Sequence, residues 1–569
     1  MAAGGSAALG ELIHDGGYQH EASASTTFSC GPVLAPPAFH SHPLDAPRRP
    51  HEDAAMKQLN RQHHLNAGSR GRLGRRLGRG SGRRPARPAT AVGLAKIAPA
   101  ALAVIVAVAL MTACASGPAG QADAGKGAAV AAGPGADTAS PAAAGDYTHV
   151  AWSRNAVIYE LNTRQFTQAG TFDAAAEHLD RLAEMGIDII WLMPIHPIGE
   201  VKRKGVLGSP YSVADYRAVN PELGTMEDFR AFLAAAHDRG MRVILDWVAN
   251  HSAWDHPWVE AHPDWYTLNA AGEIVHPPGT DWTDVAAFDY DNPELRRAMT
   301  DAMRFWVEEI GVDGYRADVA HGVPADFWVR TIAELREIKP LFMLAEAESP
   351  SLHLAGFDMT YGWELHHLMN DIAAGSRPAS AIVTYFERVD RRYRERDIIM
   401  NFASNHDENS WNGHVFERLG DGAKAFAALT FTLPGMPLIY NGQEAALDRR
   451  LAFFERDPID WGDYAFADFY TTLAALKERN PVLWHGRAGG ALRVLEHEAP
   501  RHVLAFLRER GDEQVLVVAN LSGEERSVRF TDAAIEGSYR KVFRREADRL
   551  DGSIDLNLEA WGYRVFERR

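Results

Sequence analysis

Cysteine is almost missing from this chain. Cys30 and Cys114 are the two in 569 residues, too few for a disulfide framework or a Cys-ligated metal site. No turn after the first strand-like run reads GxGxxG, the fingerprint of a dinucleotide-binding turn. No self-similarity recurs at roughly 20 to 50 residues, which excludes solenoids and propellers. Positive charge is scarce outside the beginning of the chain. Residues 1–113 carry 13 Lys/Arg against 6 Asp/Glu, and with −16 for the whole chain the remainder carries about −23. An acidic domain argues against nucleic acid and against an anionic surface as partner, and is compatible with a neutral substrate such as a sugar. The longest apolar run, Ile97 to Ala113, is somewhat short for a membrane span.

What is present changes along the chain. Residues 1–96 are rich in Gly, Ala, Pro, His and Arg without hydrophobic periodicity, and are expected to be a disordered basic leader. RGRLGRRLGRGSGRRPAR, Arg70 to Arg87, stands directly before IAPAALAVIVAVALMTA and Cys114. A positive segment, an apolar segment and small residues make a secretory signal. MTAC resembles a bacterial lipobox, with Met111 the less usual residue in it. The expectation is a signal over 97–114, acylation at Cys114, and a protein secreted across the inner membrane and tethered by lipid to a periplasmic or cell-surface face. A plain membrane anchor or secretion without lipid are the alternatives. Such a signal belongs near a true start, so translation from Met56, or a mis-called start, is expected. Residues 115–146 are an Ala/Gly/Pro/Ser stretch with the composition of a flexible linker.

From Tyr147 the pattern is regular. AVIYELN, IDIIWLMP, MRVILDWV, VDGYRAD, LFMLAE, a weaker unit near FDMTY, DIIMNFAS and MPLIYNG read as buried strands. Helical stretches separate them, among them FDAAAEHLDRLAEMG, MEDFRAFLAAAHDRG and NPELRRAMTDAMRFWVEEIG. Eight such alternations predict a (β/α)8 barrel over 147–484, with a short insertion at 252–290. After Gly489, alternating strands such as RHVLAFLRER and QVLVVANLS predict a small antiparallel sandwich over 485–569.

Catalytic groups of such a barrel sit at the carboxyl ends of its strands. Those ends carry Asp246, Asn250 and His251; Arg316, Asp318 and His321; Glu346; and Asn405, His406 and Asp407. Three carboxylates, each after its own apolar strand and two of them beside an Arg or a His, suit glycoside cleavage, which needs one ionised carboxylate and one protonated. Arg316 shares a strand face with Asp318 and should hold it ionised. Glu346 follows LFML with no basic neighbour in sequence, so desolvation and a nearby anion should raise its pKa. Asp407 is the candidate for stabilising positive charge on the sugar. Glu348 competes with Glu346 for the acid role.

DWVANH, GYRADVAH, LAEAE and NHDEN resemble the four signature regions of the alpha-amylase family of glycoside hydrolases, and GIDIIWLMP and GMPLIYNGQE resemble two further motifs of it. The likeness covers about Asn155 to Glu444. It implies a retaining double displacement with Asp318 as nucleophile, Glu346 as general acid/base and Asp407 as transition-state stabiliser. It also implies sugar contacts from Tyr211, Asp246, His251, Arg316, His321 and His406, with Asp215 four residues after Tyr211 as in the family. The chain departs from the family in two places. Ala287 stands where a calcium-ligating Asp is usual alongside Asn250, so no calcium is expected there, since calcium takes about six to eight oxygens. Ala320 stands where amylases often carry a Lys, which puts one leaving-group contact in doubt. The expected activity is hydrolysis of α-1,4-glucans such as starch or maltodextrin, with no cofactor. The alternatives are a transglycosylase or isomerase on maltose-type sugars and, as a minor one, a non-catalytic carbohydrate-binding lipoprotein. Trp254, Trp258, Trp265, Trp282 and Trp411 fall in strand-end loops, where they serve either sugar contacts or packing.

Overall fold

A computed structural model describes residues 149–544 and 546–569. The leader, the signal run with Cys114 and the linker lie outside the described residues. Among the described residues no helix is long and apolar enough to cross a membrane.

Eight parallel strands close a barrel. They are β1 (Ile158–Leu161), β2 (Ile189–Leu192), β3 (Arg242–Val248), β6 (Gly314–Asp318), β7 (Phe342–Ala345), β8 (Met359–Tyr361), β9 (Ile398–Phe402) and β10 (Met436–Tyr440). They run around the barrel in chain order, and β1 pairs with β10 to seal it. The two intervening strands, β4 (His251–Ala253) and β5 (Val285–Ala287), form a small antiparallel ribbon in the insertion after β3. All eight strands expected from sequence are present, including the weak sixth.

Period-2 alternation sorts the strand residues. Ile158, Trp191, Ile244, Leu344, Tyr361 and Phe402 pack with one another inside the barrel. Tyr159, Leu192, Leu245, Tyr315 and Met343 pack outward in the core that also holds helix residues such as Leu179, Phe232 and Met303. Both faces are dry, which is why these strands read as continuous apolar runs. The helices are delimited by local chemistry. Thr225 and Asp228 make a reciprocal capping box at Met226–Asp238. Asn292 caps Pro293–Phe305, whose first residue is proline. The single helix expected over FDAAAEHLDRLAEMG is two, Phe172–Ala176 and Leu179–Glu184.

The carboxyl-terminal part folds as β11 (Ala491–Val494), β12 (Val503–Arg510), β13 (Glu513–Asn520), β14 (Arg526–Thr531), β15 (Gly537–Lys541), β16 (Ala547–Leu550), β17 (Ser553–Leu558) and β18 (Tyr563–Arg568). Six of these make one antiparallel sheet, and β14 with β17 makes a second. Leu504, Phe506, Val515 and Val517 share a core with Leu368, Phe426 and Leu429 of the barrel helices. Buried Arg508 crosses the boundary, donating from Nη1 to Thr432 O at 2.9 Å and from Nη2 to Gly490 O at 3.0 Å. The sheet is therefore a wall of the barrel's helical layer.

One glycine decides whether β6 fits. Gly314 has φ +154°, and a Cβ there would lie 1.9 Å from Phe342 O. The β6 and β7 backbones meet at a distance only glycine allows. Gly314→Ala is expected to destabilise the fold by roughly 3–5 kcal/mol; urea unfolding followed by tryptophan fluorescence measures it, and an unchanged midpoint would contradict this packing.

Candidate active site

The inward face of β6 carries Gly314, Arg316 and Asp318 in alternation. Arg316 is fully buried. Its Nη1 donates to Asp246 Oδ1 at 2.8 Å and to Asp318 Oδ1 at 2.9 Å, and its Nε donates to Tyr361 Oη at 3.2 Å. Its Nη2 lies 2.7 Å from Glu346 Oε1. One guanidinium thus joins carboxylates from β3, β6 and the end of β7. The rings of Trp191, Tyr211 and Tyr361 surround it at 5.0, 5.7 and 5.8 Å. Burial alone would lower the Arg316 pKa, but the surrounding carboxylates outweigh it and hold the group charged.

This changes the electrostatic argument that separated Asp318 from Glu346, because both lie on the same cation. Glu346 has no basic neighbour along the chain but sits on Arg316 in space. Its Oε2 also accepts from the Val319 N–H at 2.7 Å. Asp318, for its part, is not simply held ionised. Burial raises its pKa, the Glu346 charge raises it further, and Arg316 opposes both. Burial likewise raises Asp246 and Asp407, against Arg316 and His406 respectively. The cluster holds more carboxylates than cations, so its members compete for charge. A proton on Glu346 removes its repulsion of Asp318 and leaves Arg316 to the aspartates. Asp318 Oδ2 is buried and has no hydrogen-bond partner among the described residues.

Val319 makes the Glu346 contact available. It is β-branched yet has φ 42°, ψ 44°, a left-handed conformation that costs on the order of 1–3 kcal/mol. That turn aims its N–H at Glu346. Glu348 takes a different place: its Oε2 accepts from the Glu364 N–H at 2.7 Å, at the start of helix Trp363–Ala373. Only Glu346 of the two reaches Arg316.

The remaining predicted residues fall on two sides. Tyr211, from the loop after β2, donates its hydroxyl to Asp246 Oδ2 at 3.0 Å and stacks on His406 at 5.4 Å and 22°. His406 Nε2 lies 2.9 Å from Tyr211 Oη and 3.4 Å from Asp407 Oδ2. His251 is buried in β4 beside Trp282, 5.7 Å between rings, and burial pushes its pKa down to about 4, which keeps it neutral. His321 is exposed, in the short turn Ala320–Gly322. Asp215 is exposed and accepts from the Arg217 N–H. The Asn250 amide nitrogen meets His251 Nδ1 at 3.2 Å, and Ala287 O accepts from the Thr267 N–H at 2.9 Å.

Sequence reasoning missed Glu160, which is wholly buried at the end of β1 with Oε1 2.5 Å from His406 Nδ1. Its signal was there: Glu160 alternates with Ile158, so it faces the barrel interior. It also missed Phe453, which joins Tyr211 to Trp411 in an aromatic run leading outward. Phe453 lies parallel to Tyr211, 6.1 Å and 9°, and half-exposed Trp411 lies 5.1 Å from Phe453. Asn409 pins the two loops that carry them, accepting from the Leu451 N–H at 2.8 Å and donating to Arg449 O at 3.2 Å.

Known proteins agree with this architecture. Residues 144–271 and 280–491 match the alpha amylase catalytic domain model, and residues 492–565 match the maltogenic amylase C-terminal domain model. Alpha-amylase MalA of Haloarcula japonica is 31% identical over 430 residues, covering 71% of this chain and 61% of its own. An alpha-1,4-glucan:maltose-1-phosphate maltosyltransferase of Mycolicibacterium smegmatis is 36% identical over 236 residues, covering 36% of this chain and 34% of its own. The chain thus spans about three fifths of the first relative's length and a third of the second's. Among solved structures, the maltogenic alpha-amylase AmyB from Thermotoga neapolitana superposes with TM-score 0.66 at 31% identity, over 73% of this chain and 98% of that one. The closed parallel barrel, the clustered strand-end carboxylates and these matches together establish that the chain belongs to the alpha-amylase family.

Proposed function

We propose that the protein hydrolyses α-1,4-glucosidic bonds of starch- or maltodextrin-type substrates by a retaining double displacement. The observation that carries this is the shared guanidinium: Asp318 and Glu346, from adjacent strands, both rest on Arg316. A retaining mechanism sets its two carboxyls about 5–5.5 Å apart and an inverting one about 6.5–9.5 Å; two carboxyls held on one guanidinium support the closer pairing.

The steps follow from the atoms. Glu346, protonated, gives its proton to the glycosidic oxygen as that bond breaks. Asp318 Oδ2, which no neighbour engages, attacks the anomeric carbon, while Arg316 steadies Oδ1. The glycosyl ester leaves Asp318 neutral and Glu346 ionised. Glu346 then takes a proton from the incoming water as the water oxygen attacks the anomeric carbon and the ester bond to Asp318 breaks. Asp407 faces the developing positive charge on the ring, and Tyr211 supplies an apolar face. The protonation states each step needs alternate on one guanidinium, so neither step leaves a buried charge unpaired.

A second reading, transfer to another sugar, is supported by the maltosyltransferase relatives. Water and sugar acceptors give different products. With maltoheptaose, hydrolysis yields shorter maltooligosaccharides alone; longer oligosaccharides or trehalose would establish transfer instead. We also propose that the chain is acylated at Cys114 and tethered to a membrane, so that Cys114→Ala in cells moves it from the detergent phase to the soluble fraction; no change in partition would refute the tether.

Two substitutions test the chemistry. Asp318→Asn is expected to lower kcat by about 10⁴-fold, measured as reducing sugar released from maltoheptaose; near-normal activity would exclude Asp318 as nucleophile. Glu346→Gln should cost about 10²–10⁴-fold on maltooligosaccharides and much less on an aryl glycoside whose leaving group needs no proton. Equal losses on both substrates would remove Glu346 from the acid role. On the binding side, Trp411→Ala should lower kcat/KM for maltoheptaose by roughly threefold to tenfold, the scale of one aromatic contact, and leave maltotriose nearly unaffected.

A further inference from the structure

Glu160 is a carboxyl group with no exposure to solvent, on the inner face of β1. It lies 246 residues from its partner His406 in sequence, with Oε1 2.5 Å from Nδ1. Its Oε2 has no hydrogen-bond partner among the described residues. A buried carboxylate with one contact keeps its charge when that contact is a cation.

The hydrogen-bond directions beyond the ring can be worked out. Asp246 accepts from Arg316 Nη1–H at 2.8 Å and from Trp191 Nε1–H at 3.1 Å. It is an acceptor throughout, so the one proton of Tyr211 Oη goes to it. Tyr211 Oη must then accept from His406 Nε2–H, 2.9 Å away. With Nε2 protonated, a single proton remains between Nδ1 and Glu160 Oε1. On the carboxylate it gives two neutral groups; on the nitrogen it gives an imidazolium between Glu160 and Asp407. The charges on either side of the ring favour the nitrogen.

Other groups around the ring bear on the same proton. Trp191 of β2 meets it edge-on at 6.0 Å, and Phe453 lies 6.3 Å away from the loop after β10. Arg316 of β6 works against the imidazolium. Burial would lower the His406 pKa, but Asp407 and Glu160 outweigh both and carry it up to about 9. Burial raises Glu160 as well, and His406 counters it. Tyr361 of β8 and Tyr440 of β10 also feel the Glu160 charge and stay neutral.

We propose that Glu160 is a positioning residue of this site: it orients His406 and holds it as an imidazolium, so that a fixed positive charge and a directed Nε2–H stand beside Asp407. The proposal rests on the glycosidic reading above for its effect on activity, but not for its effect on the histidine. Asp246 and Asp407 both lie in the field of that cation, which favours their ionised forms. Without it their proton affinities rise, and the acidic limb of activity moves to higher pH.

The test is nitrogen NMR of the ring in the full-length protein, with His406 assigned by His406→Gln. Unsubstituted protein at pH 7 should show both His406 nitrogens protonated, and Glu160→Gln should show a neutral ring protonated at Nε2 alone. A neutral His406 in the unsubstituted protein at pH 7 overturns the proposal whether or not the variant folds. In kinetics, Glu160→Gln is expected to lower kcat about tenfold and to move the acidic limb of kcat/KM upward by about 0.5–1 pH unit. In a His406→Gln background the same change should add less than about twofold. An equal loss in both backgrounds shows that Glu160 does not act through His406. Failure of Asp318→Asn to reduce activity would instead sink the glycosidic reading and leave the NMR result standing.

Discussion

A single buried guanidinium organises this molecule's chemistry. Arg316 has no exposure to solvent, so its charge survives only because carboxylates from three strands meet it. Two of those carboxylates, Asp246 and Asp318, are buried close enough to other carboxylates that burial and repulsion raise their proton affinities. Neither side is stable without the other. The barrel's role is to bring the carboxyl ends of β3, β6 and β7 to one point, and the close approach of β6 to β7 at Gly314 is the backbone condition for that.

Around this centre the supporting groups fall into two halves. Val319, Glu346 and Tyr361 belong to the β6–β8 side, where a strained backbone and a tyrosine hydroxyl fix the atoms that handle the proton. Glu160, Tyr211 and His406 belong to the β1–β2 and β9 side, where a chain of hydrogen bonds ends on Asp246. Asp246 is the hinge of the two, accepting from Arg316 on one oxygen and from Trp191 and Tyr211 on the other. The two halves are therefore electrically linked, and a change of protonation on one is felt by the other.

Much of this was legible in the chain. Strands buried on both faces announce themselves as apolar runs, and the first polar residues after them are the site. What stayed hidden has a common cause. The Arg316–Glu346 contact joins neighbouring strands, and no local window contains both residues. Glu160 looks like one polar residue in an apolar strand until β9 brings His406 beside it. In the C-terminal part, β15, β16 and β17 are mostly half-exposed or exposed and separated by turns, so their alternation is faint in the sequence. The helix break after Ala176 has no glycine or proline to mark it.

The seam between β1 and β10 also has a meaning in time. A ribosome makes β1 first of the barrel strands and β10 last, so the ring cannot close until residue 440 is available. Contacts across such separations form slowly, after a large loss of chain freedom. The β12–β13 sheet that backs the helices near β9 and β10 comes later still. Residues 158–346 already contain Arg316 and the three carboxylates that meet it. His406 and Asp407 join it near the end, and until then Glu160 has no cation to meet. The complete set of site residues is thus available only once residue 407 has been made, and the closed ring that holds them only once residue 440 has.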